Sequence, residues 1–184
     1  MIQIGVLTTY DPVPREVEEK ARELGKQLAR RGCIVVTGGN GGLMRVVSEA
    51  AYRAGGITVG IIASELENIS SDHPWHNPYN LVRVATGQTF TSRSSIVVRS
   101  SDAVILLAGG IGSMTEICIA YNLKKPIVVL TGTGMLADRL LGLFPDGYLD
   151  HRKIVSLHFE SDPCKAADLA IRLAEENSTG GIVK

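Results

Sequence analysis

Net charge is the first thing this sequence lacks. Its 19 Lys and Arg are matched by 19 Asp and Glu, so no overall basic field draws it to nucleic acid or an anionic membrane surface. Aromatic residues are scarce at 5%, which leaves Val, Ile, Leu and Ala to build the core. Cysteine is rare and odd in number: Cys33, Cys118 and Cys164 lie far apart, the first two in apolar surroundings. That argues against a disulfide framework and for reduced thiols in a cytoplasmic protein. No apolar run approaches the ~18 residues of a membrane span. The opening MIQIGVLTTYDPVP has no basic stretch ahead of a long apolar one, so secretion is not expected.

What is present is a chain of 184 residues, 45% hydrophobic with 20 glycines, read as one α/β domain over residues 1–184. Short apolar runs alternate with helical spacing. Strands are expected at Ile2–Thr8, Cys33–Thr37, Ile57–Ala63, Leu81–Ala85, Ala103–Ala108, Pro126–Leu130 and Lys153–His158. Helices are expected at Pro14–Arg31, Leu43–Arg53, Thr91–Ser101, Ser113–Lys124, Met135–Leu143 and Pro163–Glu176, with a frayed tail over Ser178–Lys184. The stretch SELENISSDHPWHNPYN, about 17 residues, carries prolines and asparagines that exclude a regular element. The alternation predicts a doubly wound, mostly parallel sheet with helices on both faces, a Rossmann-like fold with its ligand site outside the carboxyl ends of the strands.

Two loops at such ends share a plan. TGGNGGLM (Thr37–Met44) and AGGIGSMTE (Ala108–Glu116) each run from a strand through Gly-Gly-x-Gly into a helix start. Glycines there let backbone N–H groups approach an anion, and a helix N-terminus adds about half a positive charge; the same turns also serve merely to pack helix on strand. Neither loop supplies the Lys-Ser/Thr of a P-loop, and the first strand is followed by Thr8-Thr-Tyr-Asp-Pro, without the glycines of a dinucleotide fingerprint. ATPase and NAD chemistry are therefore not expected.

Glu116 has two readings: Ser113-Met-Thr-Glu116 fits a capping box, or the glutamate is a catalytic carboxylate beside an anion loop. Arg93, nine residues ahead of Asp102, is either a solvated charge or part of the same site, while Ile96 and Val97 would face the core. Cys118 is read as core. His73-Pro-Trp-His76 lacks the helical face or nearby carboxylate of a metal site, so Trp75 is placed at a pocket rim or subunit contact and no metal is expected. His151 and His158 look structural.

Together, Gly38-Gly39-x-Gly41-Gly42-Leu43-Met44, Arg93 before Asp102-Ala103, and Gly109-Gly110-x-Gly112-Ser113-x-Thr115-Glu116 resemble the LONELY GUY (LOG) family and its wider SLOG superfamily, once called lysine decarboxylases. The likeness is greatest to the molybdenum-cofactor carrier-like branch. The resemblance implies Arg93 and Glu116 as catalytic residues, with Gly38, Gly39, Gly41, Gly42, Met44, Gly109, Gly110, Gly112, Ser113 and Thr115 holding a phosphorylated ligand. It implies hydrolysis of the N-glycosidic bond of nucleoside 5′-monophosphates, or else carriage of molybdopterin without cleavage. Beside the LOG pattern P-G-G-x-G-T-x-x-E with an upstream Arg-Lys, this sequence has Ala108 for the proline, Ser113 for the threonine and Ser94 for the lysine. No cofactor is required on this reading, although molybdenum cofactor is a candidate ligand. A homo-oligomer is implied, in contact through the helices at Thr91–Ser101 and Ser113–Lys124.

Overall fold

The computed structural model describes residues 1–180. Along them run β1 (Gln3–Leu7), α1 (Arg15–Arg30), β2 (Ile34–Thr37), α2 (Leu43–Arg53), β3 (Ile57–Ile62), β4 (Val82–Ala85), α3 (Phe90–Arg99), β5 (Ala103–Leu107), α4 (Ile111–Asn122), β6 (Ile127–Leu130), α5 (Met135–Leu143), β7 (Leu157–Glu160) and α6 (Pro163–Gly180). The strands form one sheet, β4-β3-β2-β1-β5-β6-β7, with every neighbouring pair parallel. This is the doubly wound Rossmann-like fold that the alternation predicts.

The reason lies in the period-two pattern of strands buried on both faces. In β5, Ala103, Ile105 and Leu107 point into a core layer shared with α1, α2 and α6. Val104 and Leu106 point the other way, toward residues of α3, α4 and α5. Val17, Ala21, Leu24 and Leu28 form the buried stripe of α1, as their spacing requires. Because β1 sits between β2 and β5, the connections leaving β1 and β5 run to opposite faces, and a crevice opens between their carboxyl ends. Among the described residues no helix is long and apolar enough to cross a membrane.

The structure departs from the sequence reading at several boundaries. β7 begins at Leu157 rather than Lys153, because Lys153 adopts φ 47° in a turn. Ile154 and Val155, which made that run look like a strand, bury themselves from the loop instead. The stretch after β3 contains one 3-10 turn, Ser64–Leu66, held by the fully buried Leu66. α6 continues to Gly180, so Ser178–Gly180 are helical; residues 181–184 of the expected frayed tail lie outside the described residues. Cys118 is exposed, because α4 turns Glu116, Ile117, Ala120 and Tyr121 inward and leaves position 118 on the opposite side. The buried face of α3 is Arg93, Ser94, Val97 and Val98, with Ile96 only half-buried.

α1 crosses α2 at Gly25, where an added Cβ would lie 2.3 Å from the Val47 carbonyl oxygen. Helix propensity alone makes Gly→Ala favourable by about 1 kcal/mol, so overpacking can be read from the sign. Gly25→Ala should cost about 2 kcal/mol and lower the melting temperature by roughly 4–8 °C. Gly142→Ala in α5, with nothing within 4 Å of the new Cβ, should raise it slightly. Thermal unfolding followed by circular dichroism checks both, and shifts of the same sign would contradict the packing account.

Candidate active site

The crevice between β1 and β5 holds a cavity of about 570 Å³, a size suited to a small-molecule ligand. Of the residues singled out in the sequence, Gly38, Met44, Arg93, Gly110, Gly112, Ser113, Thr115 and Glu116 border it. Gly39, Gly41, Gly42 and Gly109 do not.

Their positions have a common cause. In the first glycine loop, the Gly39 N–H donates to Thr37 Oγ1 and the Gly41 N–H to Asn40 Oδ1. The loop also admits close neighbours: a Cβ on Gly38 would lie 2.3 Å from Arg93 Nη2, one on Gly41 2.5 Å from the Pro74 carbonyl oxygen, and one on Gly42 2.3 Å from Tyr10 Cα. Beyond the second loop, α4 opens at Ile111, two residues earlier than expected, so the first-turn amides of Ile111, Gly112 and Ser113 lie beside the cavity. Such amides lack intrahelical acceptors and favour an anion. Ser113 Oγ donates to the Thr8 carbonyl at 3.2 Å, tying α4 to the end of β1. Thr115 Oγ1 donates to the Ile111 carbonyl.

The early helix start overturns the capping-box reading. Gly110 is the N-cap, with no side-chain cap bond, and Glu116 stands in the second turn. Its carboxylate leaves the helix sideways toward α3, where Oε1 accepts from Ser94 Oγ at 3.1 Å and lies 3.6 Å from Arg93 Nη1. Arg93 is no solvated charge, being 6% exposed, and Glu116 is 7% exposed.

The pair is incompletely satisfied. Arg93 Nε is buried with no hydrogen-bond partner among the described residues, and the contact to Glu116 is longer than a good charge-assisted bond. Burial also pushes the Glu116 carboxyl up to about 7, outweighing the opposing pull of Arg93 and Ser94. An arginine neighbour alone would have kept it ionised; desolvation wins because the site is closed on nearly every side. The result is a carboxyl poised to exchange a proton near neutral pH, beside a guanidinium that stays charged although burial lowers its pKa.

Several lining residues carry no sequence signal: Thr8, Tyr10, Asn40 and Phe90. Thr8 Oγ1 is buried without a partner, and Asn40 is 1% exposed. Thr8 follows an unremarkable strand, and its importance comes only from the strand order. Trp75 does stand at the cavity rim. Ala108, where the LOG pattern has proline, takes φ 54°, a backbone that proline's fixed φ near −65° excludes. Among the described residues, no three His, Cys, Asp or Glu side chains gather as a metal site would require.

The SLOG cluster4 family model matches residues 1–157. A Mycobacterium tuberculosis protein named cytokinin riboside 5′-monophosphate phosphoribohydrolase is 32% identical over 156 residues, spanning 79% of this chain and 81% of its own. The X-ray structure of TM1055 superposes with a TM-score of 0.83 at 34% identity, covering 94% of this chain and 99% of that one. The molybdenum cofactor carrier protein of Chlamydomonas reinhardtii superposes with a TM-score of 0.76 at 26% identity, covering 95% of this chain and 98% of its own.

The raised Glu116 pKa makes stability depend on pH. The folded state holds this proton more tightly than the unfolded chain, whose carboxyl titrates near 4.5. The contribution of Glu116 to stability is therefore fully present below that value and is lost as pH rises through about 7. The decline attributable to Glu116 should be about 3 kcal/mol, and Glu116→Gln should lack it. Urea denaturation of both proteins at pH 4.5 and pH 8 tests this; an equal stability difference at the two pH values would contradict it.

Proposed function

The chain belongs to the SLOG cluster4 family, and from that premise we propose that its cavity binds a nucleoside 5′-monophosphate and hydrolyses the N-glycosidic bond to free base and ribose 5-phosphate. The observation that carries this reading is the Arg93–Glu116 pair, buried on the cavity wall, its contact 3.6 Å long and one guanidinium N–H without a partner. A buried cation so loosely held suits a site completed by an anionic or oxygen-rich ligand.

The 5′-phosphate lies against the first-turn amides at Ile111–Ser113, where the helix dipole favours negative charge. That orientation turns the ribose toward Glu116. As the C1′–N bond breaks, positive charge develops on the sugar, and the ionised carboxylate stabilises it or takes a proton from the attacking water. Water oxygen becomes the new C1′ hydroxyl, and the base leaves with the bonding pair and a proton. Ser94 Oγ, bonded to Glu116 Oε1, fixes the carboxylate's direction. Arg93 holds the ligand's oxygens and limits the carboxylate's movement. The Mycobacterium tuberculosis relative's name supports this activity.

A second reading, carriage of molybdenum cofactor without cleavage, is favoured by two departures from the hydrolase pattern. Ser94 stands where that pattern has lysine, and Ala108 holds a backbone closed to proline. The likeness to the Chlamydomonas reinhardtii carrier supports it as well. On either reading the ligand is small and phosphorylated, and assembly as a homo-oligomer through the outer faces of α3 and α4 is part of the proposal.

Incubation with a panel of nucleoside 5′-monophosphates, resolving free base by chromatography, separates the two readings. The hydrolase reading predicts base release by the wild type and a loss of roughly 10²–10⁴-fold in Glu116→Gln, with nucleotide binding largely kept. Equal release by both proteins would remove Glu116 from the chemistry. Binding with no release from any nucleotide would favour the carrier.

A further inference from the structure

Three aromatic side chains meet at the mouth of the cavity from three separate parts of the chain. Tyr10 comes from the β1–α1 loop, Trp75 from the long β3–β4 loop and Phe90 from the first residue of α3. The ring centroids of Tyr10 and Trp75 are 5.5 Å apart, tilted by 50°, and those of Trp75 and Phe90 are 6.0 Å apart at 82°. The whole chain has one Trp, three Phe and five Tyr, so this is a marked concentration of a scarce resource. It is not core packing: Tyr10 is 51% exposed, and Trp75 and Phe90 are half-buried.

Glycines let the backbone that carries two of the rings approach the first loop. A Cβ on Gly42 would lie 2.3 Å from Tyr10 Cα, and one on Gly41 2.5 Å from the carbonyl oxygen of Pro74, the residue before Trp75. His73 fixes Trp75 further, its Nδ1 accepting the Trp75 backbone N–H at 3.1 Å and its ring centroid lying 5.5 Å from that of the indole. Beside the rings, Asn40 uses Oδ1 to accept from the Gly41 N–H, which leaves its amide NH₂ as the donor on that wall. At the far side Phe90 adjoins the charged end, with Arg93 Cζ 6.0 Å from its centroid. The cavity therefore has an aromatic end and a charged end joined by one wall.

We infer that Tyr10, Trp75 and Phe90 form the subsite for a planar, bicyclic heteroaromatic ring carried by the phosphorylated ligand, with Asn40 donating to a ring acceptor. The inference rests on the phosphate reading above and adds which part of the ligand sets specificity. Stacking strengthens with π area, so a purine or a pterin, which share this chemistry, gains more from three rings than a pyrimidine does.

Calorimetric titration of the Glu116→Gln protein, in which turnover does not interfere, compares ribose 5-phosphate, UMP, AMP and neopterin monophosphate. AMP or the pterin should bind roughly tenfold or more tightly than ribose 5-phosphate, UMP should gain less, and Trp75 fluorescence should change with the bicyclic ligands. Adding Trp75→Ala or Tyr10→Ala should remove most of that advantage while leaving ribose 5-phosphate within twofold; Trp75→Phe should keep most of it. Whichever bicyclic ligand binds more tightly identifies the source of the ring. If ribose 5-phosphate binds as well as AMP and the pterin, or if Trp75→Ala weakens all ligands equally, the aromatic subsite is wrong and the phosphate site stands. If neither ribose 5-phosphate nor any nucleotide or pterin phosphate binds, the phosphate reading fails and the subsite with it.

Discussion

The arrangement depends on keeping Arg93 and Glu116 together out of water. Two charges removed from solvent are costly unless their remaining hydrogen-bonding capacity is met, and here it is met only in part: one 3.6 Å contact, one serine hydroxyl, and one guanidinium N–H left alone. Burial of the pair comes from the fold itself. α3 and α4 pack side by side on one face of the sheet and present the two residues to each other, while Gly38 leaves room for the guanidinium against the neighbouring loop. The deficit falls on a residue that borders the cavity.

Two loops of nearly identical sequence plan thereby take different parts. Beyond β5, the helix starts at once, and its opening amides meet the cavity. Beyond β2, two glycine amides are engaged within the loop, and the missing side chains instead let Arg93, Trp75 and Tyr10 come close. The first loop organises the walls and the second faces the cavity. Gly38 alone of the first loop's glycines reaches the cavity.

Much of this was legible in the sequence. Continuous apolar runs bounded by glycine gave the strands, and helical spacing gave α1 and α2 to within about a residue, because those signals are local. Glu116 stands out beside its glycine loop and Trp75 by its uniqueness, whereas Arg93 is nominated only through the resemblance to the LOG family. What escaped was set by tertiary contact. The Glu116 pKa depends on how completely α3 and α4 enclose it, which no pairing rule for Arg and Glu conveys. Tyr10 and Phe90 have no local pattern and meet Trp75 only through the strand order. Ile154 and Val155 imitated a strand because burial from a loop and burial in a sheet leave the same residues in the sequence.

A crystal structure of the Glu116→Gln protein with AMP tests the central claim most directly, since it shows at once where the phosphate and the C1′–N bond lie. The account predicts phosphate oxygens on the amides of Ile111, Gly112 and Ser113, a ligand oxygen within hydrogen-bond distance of Arg93, and C1′ beside the side chain at position 116. A nucleotide bound outside the cavity, or inside it with Arg93 still lacking a ligand contact and C1′ far from position 116, would contradict it.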